Sequence, residues 1–272
     1  MQVADDHEAI EFIISLIYER SGIRLHEGKQ HLIRARLGKR LRHHGMTDLT
    51  DYCHWLRSHT DEAEITQVVD ALTTNFTNFL REEDHFKFLV NQALPSLLSS
   101  GHKQFKIWSA ACASGEEPYS IAFYLSEHFP LGGGWDWRIL ATDISTKALS
   151  KGEQAVYPEE RCSTLSQDWL RKYFQKGQNA WQGHYRIKRS LSERVTFKQI
   201  NLLADYDFSE TFGVIFCRNV MIYFDRPTQE HLVNKLSRHL MPRGFLLVGH
   251  AESLTGLSVP LRCLRPSIYQ KT

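Results

Sequence analysis

The stretch "FKIWSAACASGEEPYSIAF", residues 105–123, sets an apolar run against a helical pattern, with only small residues between them. In a nucleotide-binding α/β domain this is the order of first strand, tight turn and helix N-terminus. A helix start behind small residues normally receives a phosphate. Here Glu116 and Glu117 stand at the mouth and would repel one. The dinucleotide fingerprint G-x-G-x-x-G is also absent, with Gly115 alone remaining and Ala110, Ala111 and Ala113 as small stand-ins. Such residues let a ligand approach the backbone closely, while the acids demand positive charge. S-adenosylmethionine meets both conditions: it has an adenosine, no phosphate, and cations at its sulfonium and α-ammonium. A carboxylate beside them makes charge-assisted hydrogen bonds. Read alone, the two acids equally complement a helix dipole, and which of them faces the ligand stays open.

Working outward, "ATDIS" puts Asp143 at the end of the second strand, where a nucleotide fold places an acid for the ribose hydroxyls, roughly 20 residues beyond the loop. An N-cap for the helix beginning at Ser145 is the competing reading. "NLLADY" places Asn201 and Leu202, and "FCRNVMIYFD" places Arg218 and Asn219, at later strand ends bordering the same crevice. A buried Arg218 or Asn219 needs a hydrogen-bond partner, whereas Cys217 reads as core packing.

Strands are predicted at 105–110, 137–144, 194–202, 213–219 and 244–252, with helices near 117–129, 145–154 and 228–241. Strands alternating with helices mark a parallel sheet. Residues 165–195 break the alternation. There "GHYRIKR" is β-like, and a second strand at 194–199 suggests a small antiparallel insertion. "LGGGWDW" (131–137) follows a helix and lacks a Lys-Ser/Thr, so it reads as a surface turn.

Residues 1–80 read as helices throughout, with apolar stripes such as Ile33, Leu37 and Leu41. A linker helix spans 81–103, broken near Pro95, with a boundary at "SSGHKQ" (99–104), and 104–272 form the α/β domain. The chain has 272 residues, 42% of them hydrophobic, and a net charge of +2, so it holds a sizeable core without a strong pull toward nucleic acid. Five scattered cysteines without a CxxC pair suggest free thiols in a reducing compartment. The N-terminus "MQVADDHEAIEF" lacks an apolar h-region. No apolar run approaches the roughly 20 residues of a membrane span, and a cytoplasmic protein is expected. In that setting the Asn75-Phe76-Thr77 glycosylation pattern has no force. Of the fourteen histidines, the densest group is His43, His44, His54 and His59; none shows a metal-ligand spacing, so no metal is predicted.

Six blocks in order, "ALTTNFTNFLREEDHF", "IWSAACASGEEPYSIA", "ATDIS", "NLL", "FCRNVMIYFD" and "VGHAESL", resemble the chemotaxis receptor methyltransferases, the CheR family. "SGIRLHEGKQHLIRARLGKRLRHHG" resembles that family's helical domain, so the likeness spans nearly the whole chain. The resemblance implies a Rossmann-like S-adenosylmethionine-dependent methyltransferase domain behind an all-α N-terminal domain that recognises the substrate receptor. The activity implied is protein-glutamate O-methyltransfer to the cytoplasmic helical bundles of chemoreceptors, leaving S-adenosylhomocysteine. By motif match, Asn75, Thr77 and Arg81 reach the cofactor from the interdomain segment. Glu117, Asp143, Asn201, Leu202, Arg218 and Asn219 line its pocket, and Arg81 and Tyr223 lie closest to the chemistry. Arg81 is expected to hold a carboxylate, of cofactor or substrate. One departure is Leu80, where the family often has a second aromatic; it is expected to fill an apolar site.

A glutamate acceptor, whose side chain ordinarily titrates at about 4.3, is already ionised at neutral pH and needs no general base. Between Arg24 and His44 stand seven Lys/Arg (24, 29, 34, 36, 39, 40, 42) against Glu27; with the apolar stripe inward, these cations are expected outward, steering acidic receptor segments. The insertion at 165–195 is the expected dock for the family's C-terminal receptor tether, by strand addition, and a monomer is expected. A nucleic-acid methyltransferase is disfavoured, since "RNVMIYF" replaces a Pro-Pro-aromatic block and Phe216, not proline, precedes Cys217. A non-catalytic S-adenosylmethionine-binding docking module is the remaining alternative.

Overall fold

A computed structural model describes residues 2–25, 27–59, 61–98 and 103–272; the boundary expected at 99–104 falls largely outside the described residues. The chain begins with α1 Gln2–Ser21, α2 Gln30–His43, α3 Leu49–His59 and α4 Glu62–Leu72. They close on one apolar cluster that includes Ile13, Ile33, Leu37, Tyr52 and Val68. Inside this bundle Glu64 is 4% exposed and accepts from Arg40 and Tyr52, with the His44 ring 3.2 Å away. Arg36 donates to the Leu72 and Thr73 carbonyls at 2.9 and 3.0 Å, capping the end of α4. Arg34 pairs with Asp6 at 2.8 Å. The expectation that all seven basic residues point outward is therefore corrected. A buried carboxylate draws Arg40 in and orphan carbonyls draw Arg36 in, Arg34 stays exposed beside Asp6, and Arg24, Lys29, Lys39 and Arg42 have no ion pair among the described residues. The clustered histidines also have a use: His44 and His59 pack on Trp55 with ring centroids 4.3 and 4.7 Å apart.

After a turn at residues 73–83 come α5 Asp84–Phe88 and α6 Leu94–Leu97, joined by a π-helical turn at Leu89–Ala93. The predicted break at Pro95 does not occur. The π turn shifts the hydrogen-bond ladder, and Pro95 lies in the first turn of α6, where a missing N–H costs little.

The α/β part then runs β1 Gln104–Ala110, α7 Glu116–His128, β2 Asp136–Asp143, α8 Thr146–Gln154, β3 Val156–Pro158, α9 Gln167–Tyr173, β4 Phe174–Lys176, β5 His184–Ile187, α10 Arg189–Ser192, β6 Val195–Gln199, β7 Phe212–Cys217, α11 Arg226–Arg238, β8 Leu240–Leu247, β9 Leu261–Arg265 and β10 Ile268–Lys271. The main sheet has the order β6-β2-β1-β7-β8-β10-β9. Its first five members are parallel, and β10 runs antiparallel to both β8 and β9. Along β7 the residues alternate: Val214 and Phe216 pack with α7, Ile215 and Cys217 with α11. Burial on both faces explains why its sequence reads as a continuous apolar run.

The insertion differs from its predicted outline. β5 pairs antiparallel with β3 and β4, giving a sheet of order β3-β5-β4. It thus begins at Val156, and the segment at 195–199 belongs to the main sheet as its edge. Strand β7 ends at Cys217 and β6 at Gln199, so Arg218, Asn219, Asn201 and Leu202 lie in the loops beyond them. No helix among the described residues is long and apolar enough to cross a membrane.

Candidate active site

Strand order reverses between β1 and β7, and a crevice opens beyond their carboxyl ends, the place where open α/β sheets bind ligands. One cleft there is lined by all ten residues singled out from sequence: Asn75, Thr77, Arg81, Glu117, Asp143, Asn201, Leu202, Arg218, Asn219 and Tyr223. Its opposite wall comes from the helical bundle, through Ile23, Leu25 and Lys29.

The β1–α7 loop shows why small residues sit there. Ala111, Ala113 and Gly115 all have positive φ, at +64°, +48° and +95°. A Cβ on Gly115 would lie 2.9 Å from the Gly152 Cα of α8 and 2.8 Å from the Tyr157 hydroxyl. Glycine is needed there both for the left-handed conformation and for the close approach of two elements. Asp143, 5% exposed, fastens the loop: its carboxylate accepts from the Ala113 N–H at 2.8 Å and the Ser145 N–H at 2.9 Å. It is not an N-cap. Ser145 caps α8 through the Ala148 N–H, so that competing reading fails. Burial pushes the Asp143 carboxyl up, against the backbone N–H groups that favour its ionised form.

The two glutamates divide. Glu116 is buried against the Ser114 hydroxyl at 2.7 Å, outside the cleft-lining set. Glu117 lines the cleft, accepting from the Ser109 hydroxyl at 2.7 Å and from Arg218 Nη1 at 3.0 Å. Arg218 meanwhile donates Nη2 to Glu82 at 2.9 Å and to the Arg81 carbonyl. Burial raises the Glu117 carboxyl despite Arg218. Burial would raise Glu82 too, but Arg218 and Asn219 hold it down at about 2. One guanidinium thus faces two carboxylates, leaving one negative charge in surplus. That surplus suits a ligand cation and opposes a phosphate.

Arg81 sits between Leu80 and Glu82, whose φ values are +60° and +54°, in the turn before α5. The unusual backbone lets the Arg81 carbonyl meet Arg218 while its side chain lines the cleft, where Nη1 reaches the Phe76 carbonyl at 3.2 Å. Leu80 packs against the main apolar cluster, as expected of the residue replacing an aromatic. Thr77 gives its carbonyl to Arg161 of the insertion at 2.7 Å, and Asn75 Nδ2 lies 3.4 Å from Thr73 Oγ1. Asn201 donates to the Arg20 carbonyl at 2.8 Å and accepts from the Leu203 N–H at 3.0 Å, joining the sheet to α1. The Tyr223 carbonyl accepts from the Arg24 N–H at 2.9 Å, and its hydroxyl has no hydrogen-bond partner among the described residues.

Two carboxylates essential to this geometry were not singled out from sequence. Glu82 holds Arg218 and, at 3.2 Å, Asn219 Nδ2. Glu252, 7% exposed, accepts from the backbone N–H groups of Gly249, Asn219 and Ile222 at 2.6, 2.9 and 3.2 Å. It thereby fixes Asn219 at φ +57° and the loop that carries Tyr223. Both acids lie inside quoted blocks, "NFLREED" and "VGHAESL"; an acid just past a strand end was the available signal for Glu252, whereas Glu82, in the turn before α5, had none.

A doubly wound sheet with the Glu117 and Asp143 carboxylates at its switch point, where a dinucleotide fold would present backbone to a phosphate, fits an S-adenosylmethionine-dependent methyltransferase. Residues 75–269 match the family described as CheR methyltransferase, SAM binding domain, and residues 8–73 match its all-alpha domain. The chain is 38% identical over 265 residues to the chemotaxis protein methyltransferase of Borreliella burgdorferi, covering 95% of this chain and 92% of that protein. The Klebsiella aerogenes relative of the same description is 40% identical over 261 residues, covering 96% and 88%. That of Salmonella typhimurium is 39% identical over 246 residues, covering 90% and 83%. The chain belongs to the CheR methyltransferase family, and its methyl donor is S-adenosylmethionine.

Proposed function

We propose that this enzyme esterifies glutamate side chains of methyl-accepting chemotaxis receptors, in their cytoplasmic helical bundles, acting in the cytoplasm as a monomer. The observation that carries this reading is the composition of the cleft. Cofactor-type carboxylates share it with Arg81 and Tyr223, and no histidine is among the described residues that line it. An acceptor that is already a carboxylate needs no such base.

Glu117 and Asp143 would hold the cofactor, with Arg218 and Asn219 orienting Glu117, and Asn75, Thr77, Asn201 and Leu202 completing the walls. When bound, S-adenosylmethionine supplies the methyl group to an acceptor oxygen, and a neutral thioether leaves. The protein's part is alignment and exclusion of water; well-oriented groups gain roughly 7–11 kcal/mol from positioning. Arg81 orients a carboxylate by charge-assisted hydrogen bonds, and Tyr223 borders the methyl path with its free hydroxyl. The cations of α2 and its approach attract acidic receptor helices. A receptor's C-terminal peptide would add to an open edge of the β3-β5-β4 sheet.

The test uses methyl-labelled S-adenosylmethionine with a chemoreceptor cytoplasmic fragment. Label released by mild alkali as methanol establishes a carboxyl ester. Cofactor binding without transfer to any of a panel of receptors would favour the docking-module reading. Removing the fragment's C-terminal peptide should lower transfer without altering cofactor affinity.

A further inference from the structure

On the far side of Glu82 from the cleft lies a recess lined by His85, His250, Ser267, Lys87 and Arg265. His85 is 1% exposed, and its Nε2 lies 2.7 Å from Ser267 Oγ. Ser267 Oγ also lies 2.6 Å from the Pro266 carbonyl, to which its hydroxyl can donate while accepting from His85. With the hydroxyl so turned, the neutral ring carries its proton on Nε2 and presents Nδ1 as an acceptor. Nδ1 is buried without a hydrogen-bond partner and faces Glu82 Oε2 at 3.5 Å. Nδ1 and the Glu82 carboxylate thus converge with no hydrogen bond between them, a pairing that a cation between the two would satisfy.

The exposed His250 stands edge-on to His85, with ring centroids 4.9 Å apart. One donor atom from each of Glu82, His85 and His250 lies within 4.8 Å of the others. In a tetrahedral site with bonds near 2.0–2.1 Å, ligand atoms sit about 3.3 Å apart, so a swing of the exposed His250 brings the set to that spacing. Two imidazoles and a carboxylate suit zinc-class ions.

We propose that Glu82, His85 and His250 bind a divalent transition-metal ion of the zinc class, and that filling this site loosens the Arg218 clamp and weakens cofactor binding. The ion is an inhibitor here, not a participant in methyl transfer. Lys87, Arg265 and Arg218 oppose it, while the surplus carboxylate of the Glu82–Arg218–Glu117 cluster favours it. Since Oε2 of Glu82 serves both Arg218 and the ion, each partner weakens the other's hold. By linkage the cofactor must weaken the metal as much as the metal weakens the cofactor. The coupling rests on the cofactor reading of the cleft; metal binding does not, so the two fail separately.

The test titrates the full chain with Zn2+ against a chromophoric chelator, for wild type and His250→Ala. S-adenosylmethionine affinity is then measured by calorimetry without Zn2+ and at a Zn2+ concentration, set from the titration, that fills the wild-type site and leaves the variant's largely empty. The expected result is one zinc per wild-type chain, bound at least about 10-fold more weakly by the variant. Zinc should raise the cofactor dissociation constant about fivefold in wild type and leave it unmoved in His250→Ala. The variant should keep wild-type cofactor affinity without metal. Equal zinc affinity in the two proteins would overturn the site. Tight zinc with unchanged cofactor affinity would overturn the coupling. Failure of metal-free wild type to bind S-adenosylmethionine would instead defeat the cofactor reading and leave the zinc titration to decide the site.

Discussion

Adjacent glutamates at one helix start take different fates because of what their oxygens meet. Glu117 shares Arg218 with Glu82, whereas Glu116 turns to Ser114 and lies outside the cleft-lining set. Replacing Glu117 by Gln keeps its shape and removes the charge. A charge-assisted hydrogen bond is worth about 1.5–3 kcal/mol, so S-adenosylmethionine affinity should fall roughly 10–100-fold. Glu116→Gln should change it little, and equal losses in calorimetry would sink the distinction. The same residue sets a pH dependence. Burial raises the Glu117 carboxyl of the free enzyme, while a cationic ligand favours its ionised form. Affinity is therefore flat at high pH and falls as pH drops through that raised value, starting above the ordinary carboxylate range. Unchanged affinity from pH 8 to pH 5 would remove Glu117 from cation binding. Arg81 makes a different prediction. Its guanidinium reaches a carbonyl, not an acid, so it is available to an incoming carboxylate. Arg81→Ala should lower kcat/KM about 100-fold, the scale of lost alignment; near-normal turnover would reject its role.

At the scale of elements, the β1–α7 loop is the part most sensitive to a single methyl group. Gly115→Ala forces a left-handed conformation costing about 1–2 kcal/mol and drives a Cβ against the Gly152 backbone. The melting temperature should fall by several degrees, and cofactor affinity should fall with it as the loop shifts. A variant that melts like wild type would show that α7 and α8 are free to separate. This loop was legible because periodicity changes on either side of it. The hairpin of β9 and β10 was not: β9 is largely exposed and offers no alternation. Strands β3 and β4 have three residues each, too few for a pattern. The cleft residues were legible through their blocks, but their support was not. Glu82 and Arg218 stand 136 positions apart, and Glu252 and Asn219 stand 33 apart, so no local pattern records either pair.

In the whole molecule, the bundle is docked onto the loops around the cleft at several points. Asn201 meets the Arg20 carbonyl, the Arg24 N–H meets the Tyr223 carbonyl, the Tyr18 hydroxyl meets Asp225, and Thr146 meets Asp70. A receptor helix held by the bundle would therefore lie against the wall that carries Tyr223. The charge count alone overstated how many cations are available for this. It could not show that Arg40 is drawn to Glu64, Arg36 to carbonyls and Arg34 to Asp6. The proposed steering would rest on Arg24, Lys29, Lys39 and Arg42, of which Lys29 lines the cleft itself. Exposed charges are screened beyond about 8 Å at physiological ionic strength. Raising salt should then lower kcat/KM for a receptor fragment, mainly through association, while kcat at saturating receptor holds. Reversing Lys39 and Arg42 to Glu should flatten that salt dependence and leave cofactor affinity untouched, because neither residue lines the cleft. Should the salt slope persist in the double variant, the attraction must come from another face of the molecule. If cofactor affinity falls as well, the bundle transmits its surface charge through the Arg24–Tyr223 contact into the site.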